Sequence, residues 1–125
     1  MEPSKKLSER SRKNLEMVYP AWVEIINKSI DLVDFEVICG HRNEKDQNQA
    51  YEDGKSKLKY PNSKHNIIPS LAVDLAPRPI DWSNKEAFCH LAGIITATAH
   101  SLGYTVKWGG DWHTFKDYPH FEIVC

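Results

Sequence analysis

The segment LAVDLA, residues 71 to 76, determines much of what the sequence predicts about fold and chemistry. It is apolar except for one residue, and Pro77 and Pro79 follow it, so we predict a short buried strand. Asp74 is the residue that interrupts the apolar run. A carboxylate in a buried strand is costly unless a cation or a charged partner compensates for it. Asp74 is therefore a candidate for a salt bridge to Arg or Lys, for a cap, or for a metal ligand.

The rest of the chain supplies further strands with helices around them. Strands are predicted at residues 35–39, 104–108 and 121–124, and helices over 8–18, 20–33, 43–53 and 84–102. Ser83 is expected to cap the last helix, and Gly103 is expected to end it. This order predicts an α+β fold with a small, mainly antiparallel sheet and flanking helices. The 125 residues fit one domain, residues 1–125, in which the helices of residues 1–33 are scaffold.

Composition and charge exclude several classes of protein. The chain is 41% hydrophobic and 26% charged, which is an ordinary globular balance. Its net charge of −1 argues against nucleic-acid binding through a basic field and against a polybasic membrane anchor. Cys39, Cys89 and Cys125 form no CxxC pair, so we expect buried or terminal thiols in a reducing compartment. The N-terminal segment has no apolar run, which predicts no secretory signal and synthesis in the cytosol.

Two of the six histidines stand at places where a metal ligand is plausible. His65 ends a long polar loop, residues 55–70, and His120 opens the last predicted strand. Together with Asp74 they form a His₂-Asp donor set, which suits a zinc site with three protein ligands and one open position. His90 and His100 are expected to be ordinary helical residues, and His41 is a weaker candidate. The spacing alone is only moderately specific.

Several ordered motifs resemble one known family. SKHN (63–66), PSLAVD (69–74) and DYPHF (117–121) resemble the SxH…AxD…(D/E)xxH pattern of the zinc D-Ala-D-Ala carboxypeptidase family. Within it, the chain is most similar to bacteriophage L-alanyl-D-glutamate peptidases, the endolysins that cut peptidoglycan stem peptides. VICGHR (37–42) is similar to the G-x-R strand end of the family, and WGGDW (108–112) precedes the last histidine. The resemblance covers residues 35–124.

The resemblance implies a role for each matching residue. It implies that His65, Asp74 and His120 bind Zn²⁺ and that Asp117 is the catalytic acidic residue. Arg42 matches the arginine that steadies the substrate carbonyl or the oxyanion, and Ser63 matches a small polar position near the substrate. The interval from His65 to Asp74 is about two residues longer than the common family spacing, which we attribute to a loop insertion at residues 67–69. Asp rather than Glu at position 117 fits the phage branch.

Alternatives remain open for both the base and the function. Glu122 and His113 are rival proton-transfer groups, and Asp111 is expected to form a turn. A second enzymatic hypothesis is a D,D-carboxypeptidase or dipeptidase acting on D-Ala-D-Ala. A third hypothesis, from another class, is a non-catalytic zinc-stabilised binding module. The phage reading implies a monomer whose substrate is the peptidoglycan stem peptide. It also implies host cytoplasmic location until a holin gives access to the periplasm and cell wall.

Overall fold

Four strands and four α-helices make up the computed structural model, which describes residues 7–113 and 116–124. The strands are β1 (Phe35–Cys39), β2 (Ala72–Pro77), β3 (Thr105–Trp108) and β4 (His120–Val124). The helices are α1 (Glu9–Asn14), α2 (Pro20–Ser29), α3 (Glu44–Glu52) and α4 (Lys85–Ser101). Short 3₁₀ helices lie at Lys64–Asn66 and Gly109–Asp111. None of the helices in this part of the chain is long and apolar enough to cross a membrane.

The strands form one sheet in the order β1-β2-β4-β3, and each neighbouring pair is antiparallel. The predicted α+β fold with a small antiparallel sheet is therefore confirmed. Strand β2 lies between β1 and β4, and all of its residues except Asp74 are buried, as its apolar sequence predicts. A register irregularity between Val37 and Cys39 interrupts the β1–β2 pairing.

Side chains alternate between the two faces of the sheet, as a pleated strand requires. On one face, alternate residues of β1, β2 and β4 enter the hydrophobic core: Phe35, Val37, Val73, Leu75, Phe121 and Ile123. Helices α2 and α4 pack together on this core, to which α2 contributes the fully buried Trp22. The indole N–H of Trp22 donates to the carbonyl of Leu71, at the start of β2. The other face of β2 and β4 is left to carry Asp74 and His120.

Helix boundaries agree with the expectations except at three places, one of which is the end of α2, at Ser29 instead of residue 33. Helix α1 begins after its cap Ser8 as expected, but it ends at Asn14 because Val18 forms a bridge with Ser70 instead. The cap of α4 is Asn84, whose side chain accepts from the Ala87 N–H, and not Ser83, whose hydroxyl donates to Asp81.

The remaining differences concern burial. On α2 the buried residues include Ile25, while Val23 is exposed. Cys89 is exposed rather than buried, and Cys39 is half-buried. Cys125 and residues 1–6 of the predicted N-terminal scaffold lie outside the described residues.

Candidate metal centre and active site

Three neighbouring strands bring ligand-type side chains side by side. Asp74 on β2 is paired with Cys39 at the end of β1 and with His120 at the start of β4. The strand register thus places Cys39, Asp74 and His120 next to one another on three adjacent strands. The sheet therefore presents a thiol, a carboxylate and an imidazole in one row.

His65 reaches this row from outside the sheet. It lies in the 3₁₀ helix Lys64–Asn66, where the Ser63 hydroxyl accepts a hydrogen bond from the His65 N–H at 3.2 Å. The backbone N–H of Arg42 donates to the His65 carbonyl at 2.8 Å, and the Asn66 side chain donates to the Arg42 carbonyl at 2.9 Å. These bonds fix the loop carrying His65 to the chain that leaves β1.

Two imidazoles converge on one oxygen of Asp74. His65 Nε2 lies 3.2 Å and His120 Nδ1 lies 3.5 Å from Asp74 Oδ1. The remaining nitrogen of each ring has a partner outside the cluster: His65 Nδ1 lies 2.7 Å from the Gly40 carbonyl, and His120 Nε2 lies 2.9 Å from Glu122 Oε1. Such outer partners fix the tautomer and orientation of metal-binding histidines. The nitrogens that face Asp74 are thereby free to act as donors to a metal.

The charges of the cluster are strongly coupled. Burial alone would lower the pKa of His65, but the neighbouring Asp74 carboxylate raises it to about 10. Burial would likewise lower the pKa of His120, and its hydrogen bonds with Asp74 and Glu122 raise it instead. Burial acts to raise the pKa of Asp74, yet the two histidines hold it well below its usual range. Without a metal, protonated imidazoles therefore compensate for the half-buried carboxylate.

This donor set fits a zinc ion. Two imidazole nitrogens and a carboxylate converge in a half-buried place, and both histidines have the outer partners typical of zinc sites. Cys39 is a fourth candidate, since one donor atom from each of Cys39, His65 and Asp74 lies within 4.8 Å of the others. Its sulfur is 4.0 Å from His65 Nδ1, the ring nitrogen that faces Gly40 and not Asp74. The cluster could thus hold a metal ion, and Cys39 lies behind the His65 ring.

Asp117 approaches the same place from the loop before β4. Its N–H donates to the Gly109 carbonyl at 3.0 Å, and its own carbonyl accepts from the His120 N–H at 3.1 Å. Burial raises the pKa of Asp117 to about 6, and the negative charge of Asp74 contributes in the same direction. A carboxylate with its pKa near 6 is well suited to exchange protons near neutral pH.

Arg42 lies between Asp74 and a buried amide. One of its terminal nitrogens is 3.2 Å from Asp74 Oδ2, and the other donates to Gln47 Oε1 at 3.0 Å. Gln47 is fully buried in α3. Because a guanidinium has five N–H donors, these two bonds leave others for a substrate.

The candidate ligands, Asp117 and Arg42 border one cavity of about 620 Å³. The predicted residues that line it are Arg42, Ser63, His65, Asp74, Asp117 and His120. Trp82 and Trp112 add aromatic walls, and Trp112 packs against the His120 ring with 5.0 Å between ring centroids. Asp111 and His113 are exposed, and neither is among the described residues lining the cavity. Glu122 contacts His120 from behind.

The sequence reasoning missed three contributors to the site. Cys39 is predicted only to be a buried or terminal thiol. Gln47 is not among the predicted site residues, and Gly109 is noted only as part of the WGGDW motif. A polar residue in a helix carries no signal that it will be buried. The only signal for a role of Gln47 in the site is that it lies close to Arg42 in the sequence. Ser63 is buried, and its hydroxyl accepts the His65 N–H, so it orients the loop as well as lining the cavity.

The fold and the site together define a small α+β protein with a candidate metal centre at one end of its sheet. The chain matches the family model described as phage L-alanyl-D-glutamate peptidase over residues 3–124, and it belongs to that family. The resemblance noted in the sequence is thereby confirmed.

Two individual proteins show the same similarity. Peptidoglycan L-alanyl-D-glutamate endopeptidase CwlK of Bacillus subtilis (strain 168) is 33% identical, over 78% of this chain and 64% of its own length. The chain thus spans a little under two thirds of that curated relative. The crystal structure of Serratia marcescens L-Ala D-Glu endopeptidase ChiX superimposes with a TM-score of 0.81 at 31% identity, covering 94% of this chain and 89% of that one.

Proposed function

We propose that this chain is a zinc-dependent peptidase that hydrolyses the L-Ala–D-Glu bond of peptidoglycan stem peptides. One observation carries the proposal: in a member of this family, two histidines and two carboxylates converge with an arginine on a single cavity. The similar proteins from Bacillus and Serratia are both named as endopeptidases of this bond, which favours it over D-Ala-D-Ala hydrolysis.

His65, Asp74 and His120 would hold the zinc ion. Their donor atoms face one another, while the outer nitrogens of both histidines are held by Gly40 and Glu122. When bound, zinc acts as a Lewis acid and lowers the pKa of water toward about 7. The half-buried Asp74 carboxylate would then be compensated by the cation rather than by protonated imidazoles.

Asp117 would act as the general base and then as the general acid. Its carboxyl group lines the cavity beside the cluster, and its raised pKa lets it accept a proton from the attacking water near neutral pH. It would return that proton to the amine that leaves when the peptide bond breaks. Glu122 is a weaker candidate, because its hydrogen bond to His120 lowers its pKa and keeps it away from the cavity.

Arg42 would hydrogen-bond the carbonyl oxygen of the scissile bond as negative charge develops on it. The guanidinium is permanently charged, and its contacts with Asp74 and Gln47 hold it at the edge of the cavity. Loss of one such donor costs about 3 kcal/mol of transition-state stabilisation in other hydrolases. Ser63, whose side chain lines the same cavity, would contact the substrate nearby.

The test is digestion of purified sacculi or a synthetic stem peptide, followed by mass analysis of the products. New N-terminal D-Glu, together with stoichiometric zinc, is the expected result. Released D-Ala would instead support a D,D-carboxypeptidase, and bound peptide without products would support a binding module. Exhaustive chelation should abolish hydrolysis, and added zinc should restore it. Hydrolysis by protein shown to be free of metal would contradict the proposal.

The setting that fits this chemistry is host lysis by a phage. Peptidoglycan lies outside the cytoplasmic membrane, so an enzyme residing in the host cytoplasm needs a breach such as a holin makes before it reaches the wall. Because all residues of the cavity come from one chain, a monomer would suffice. Light scattering of the purified protein tests whether it is a monomer. Expression with and without a holin tests whether the enzyme needs a holin to reach the cell wall.

A further inference from the structure

We propose that Lys55 and Lys57 form a subsite that binds the free carboxylate of the substrate's D-Glu residue. The inference rests on the proposed function, and it names the feature of the substrate that the cavity selects. Both lysines line the cavity that holds Arg42, Asp74 and Asp117. They lie on the segment that follows α3, on a different part of the cavity wall from the strands that carry the metal cluster.

The chemistry of the substrate calls for such a subsite. A D-Glu residue joined to the next residue through one carboxyl group keeps the other as a free carboxylate, only a few bonds from the scissile nitrogen. Asp74 and Asp117 are the carboxylates on the cavity wall, and both would repel this group. Besides Arg42 and the two histidines, Lys55 and Lys57 are the basic side chains on this wall among the residues that the structure describes.

Both lysine side chains are exposed, but the backbone that carries them is held at a defined place. The N–H groups of Lys55 and Ser56 donate to the Ala50 carbonyl at 2.9 and 3.1 Å, which ties the segment to the end of α3. The Gln47 amide nitrogen donates to Ser56 Oγ at 3.0 Å and to the Leu58 carbonyl at 2.6 Å. The buried Gln47 side chain thus bonds to both sequence neighbours of Lys57, which are Ser56 and Leu58.

The same side chain connects this segment to the catalytic arginine. Gln47 Oε1 accepts from Arg42 at 3.0 Å and from Asn66 at 3.2 Å, so all four hydrogen-bonding positions of the amide are used. Gln47 is therefore a positioning residue: it ties the backbone that carries the two lysines to the arginine that would bind the scissile carbonyl. The substrate would be held at two points on either side of its reacting bond.

The experiment compares two synthetic stem peptides, one with the free D-Glu carboxylate and one in which that carboxyl is amidated. The quantity measured is the ratio of kcat/KM for the two peptides, because a general fall in activity does not change it. We expect wild type to prefer the free carboxylate by about tenfold, and Lys55→Gln or Lys57→Gln to lower the preference about threefold each. High salt should weaken the preference as well.

Lys59→Gln is the matched control. Lys59 carries the same charge two residues further on, but its ammonium lies over the Tyr51 ring at 4.9 Å and it does not line the cavity. This variant should keep the wild-type ratio. Equal ratios in the control and in both lysine variants would overturn the subsite. Failure of wild type to cleave either peptide would instead overturn the proposed function, and the subsite with it.

Gln47→Glu tests the positioning role separately. The carboxylate keeps acceptors for Arg42 and Asn66 but loses the donors to Ser56 and Leu58. The lysine segment should then lose its fixed place, and the preference for the free carboxylate should fall toward that of the lysine variants. An unchanged ratio in a folded Gln47→Glu protein would overturn the claim that Gln47 positions the segment.

Discussion

Gly109 and Asp117 are in direct backbone contact. The Asp117 N–H donates to the Gly109 carbonyl, and a Cβ added at position 109 would collide with the Asp117 carbonyl oxygen and approach its Cβ to 3.1 Å. The proposed catalytic carboxylate therefore depends on a glycine eight positions earlier in the chain. The missing side chain at 109 lets the loop before β4 lie close to the loop after β3.

Substitution of Gly109 by Ala should displace Asp117 and lower kcat. A shift of about 1 Å in a catalytic group can cost about 100-fold, so we expect a loss between about tenfold and 100-fold. Zinc content should fall less than kcat, because His65 and Asp74 lie on other segments and only His120 is bonded, through its N–H, to the Asp117 carbonyl. Steady-state kinetics with metal analysis of the same preparation tests both parts.

Gly93→Ala is the control for this prediction. Gly93 lies in α4, and an added Cβ would meet no atom within 4 Å. The variant should keep full activity and gain about 1 kcal/mol of stability from the higher helix propensity of Ala. If both alanine variants behave alike, the contact between Gly109 and Asp117 does not position the carboxylate.

Removal of the Asp117 carboxylate should strongly lower turnover without loss of the metal. General acid–base groups contribute about 10²- to 10⁴-fold, so Asp117→Asn should lose activity in that range while it binds zinc and melts near wild type. Asp111→Asn is the matched control, since Asp111 is an exposed carboxylate on the same connection. Turnover near the wild-type rate in Asp117→Asn, or an equal loss in Asp111→Asn, would contradict the assignment.

The pH profile provides an independent test of the same residue. A base works only when ionised, and burial raises the pKa of Asp117 to about 6, so kcat/KM should rise as pH increases through about 6. Below that pH the carboxyl is protonated and cannot accept a proton. A profile that stays flat from pH 5 to 7 would show that Asp117 does not control the rate.

The fold could be predicted from local patterns because most boundaries here are set locally. Pro20 at the first turn of α2, Asn43 as the cap of α3 and Gly103 after α4 each act within a few residues. The end of α1 could not be predicted in this way. Val18 leaves the helix to pair with Ser70, a partner more than 50 residues away.

The site could be predicted only where a residue looked costly in its segment or matched an ordered motif. Asp74 stood out because a carboxylate in an apolar strand needs compensation. Gln47 and Cys39 did not, because their importance comes from contacts made after folding: four hydrogen bonds in one case and a strand register in the other. Contacts of this kind have no local signature in a single sequence.

Two variants can decide whether His120 or Cys39 is the third metal ligand, beside His65 and Asp74. His120→Ala removes a nitrogen that faces Asp74, so the protein should lose bound zinc on dialysis. Cys39→Ser should keep it, because the sulfur lies beside the His65 nitrogen that is already held by Gly40. Metal analysis of both variants tests this. Zinc lost from Cys39→Ser and retained by His120→Ala would show that the thiol is the third ligand.

Glu122 should matter for metal affinity rather than for the chemical step. Its carboxylate is 2.9 Å from His120 Nε2, and loss of such an outer partner typically costs about 10- to 100-fold in affinity. Glu122→Gln should show this loss in a competition titration and regain turnover at saturating zinc. Glu86→Gln, an exposed residue of α4, is the control. Activity that stays lost at saturating zinc would make Glu122 a catalytic residue.

Zinc binding should release protons and strengthen as pH rises. The Asp74 carboxylate raises the pKa of His65 to about 10, so this imidazole is protonated at neutral pH in the metal-free protein and must lose its proton to bind zinc. Protons therefore compete with the metal, and the affinity should increase about tenfold per pH unit between pH 6 and 8 for each proton displaced.

Calorimetry in two buffers with different ionisation enthalpies measures the number of protons released, which should be at least one. His90→Gln, an exposed histidine of α4, should leave this number unchanged. A binding enthalpy that is independent of the buffer would show that His65 is already neutral. In that case the carboxylate of Asp74 would have to be compensated by Arg42 alone, whose guanidinium is 3.2 Å from its second oxygen.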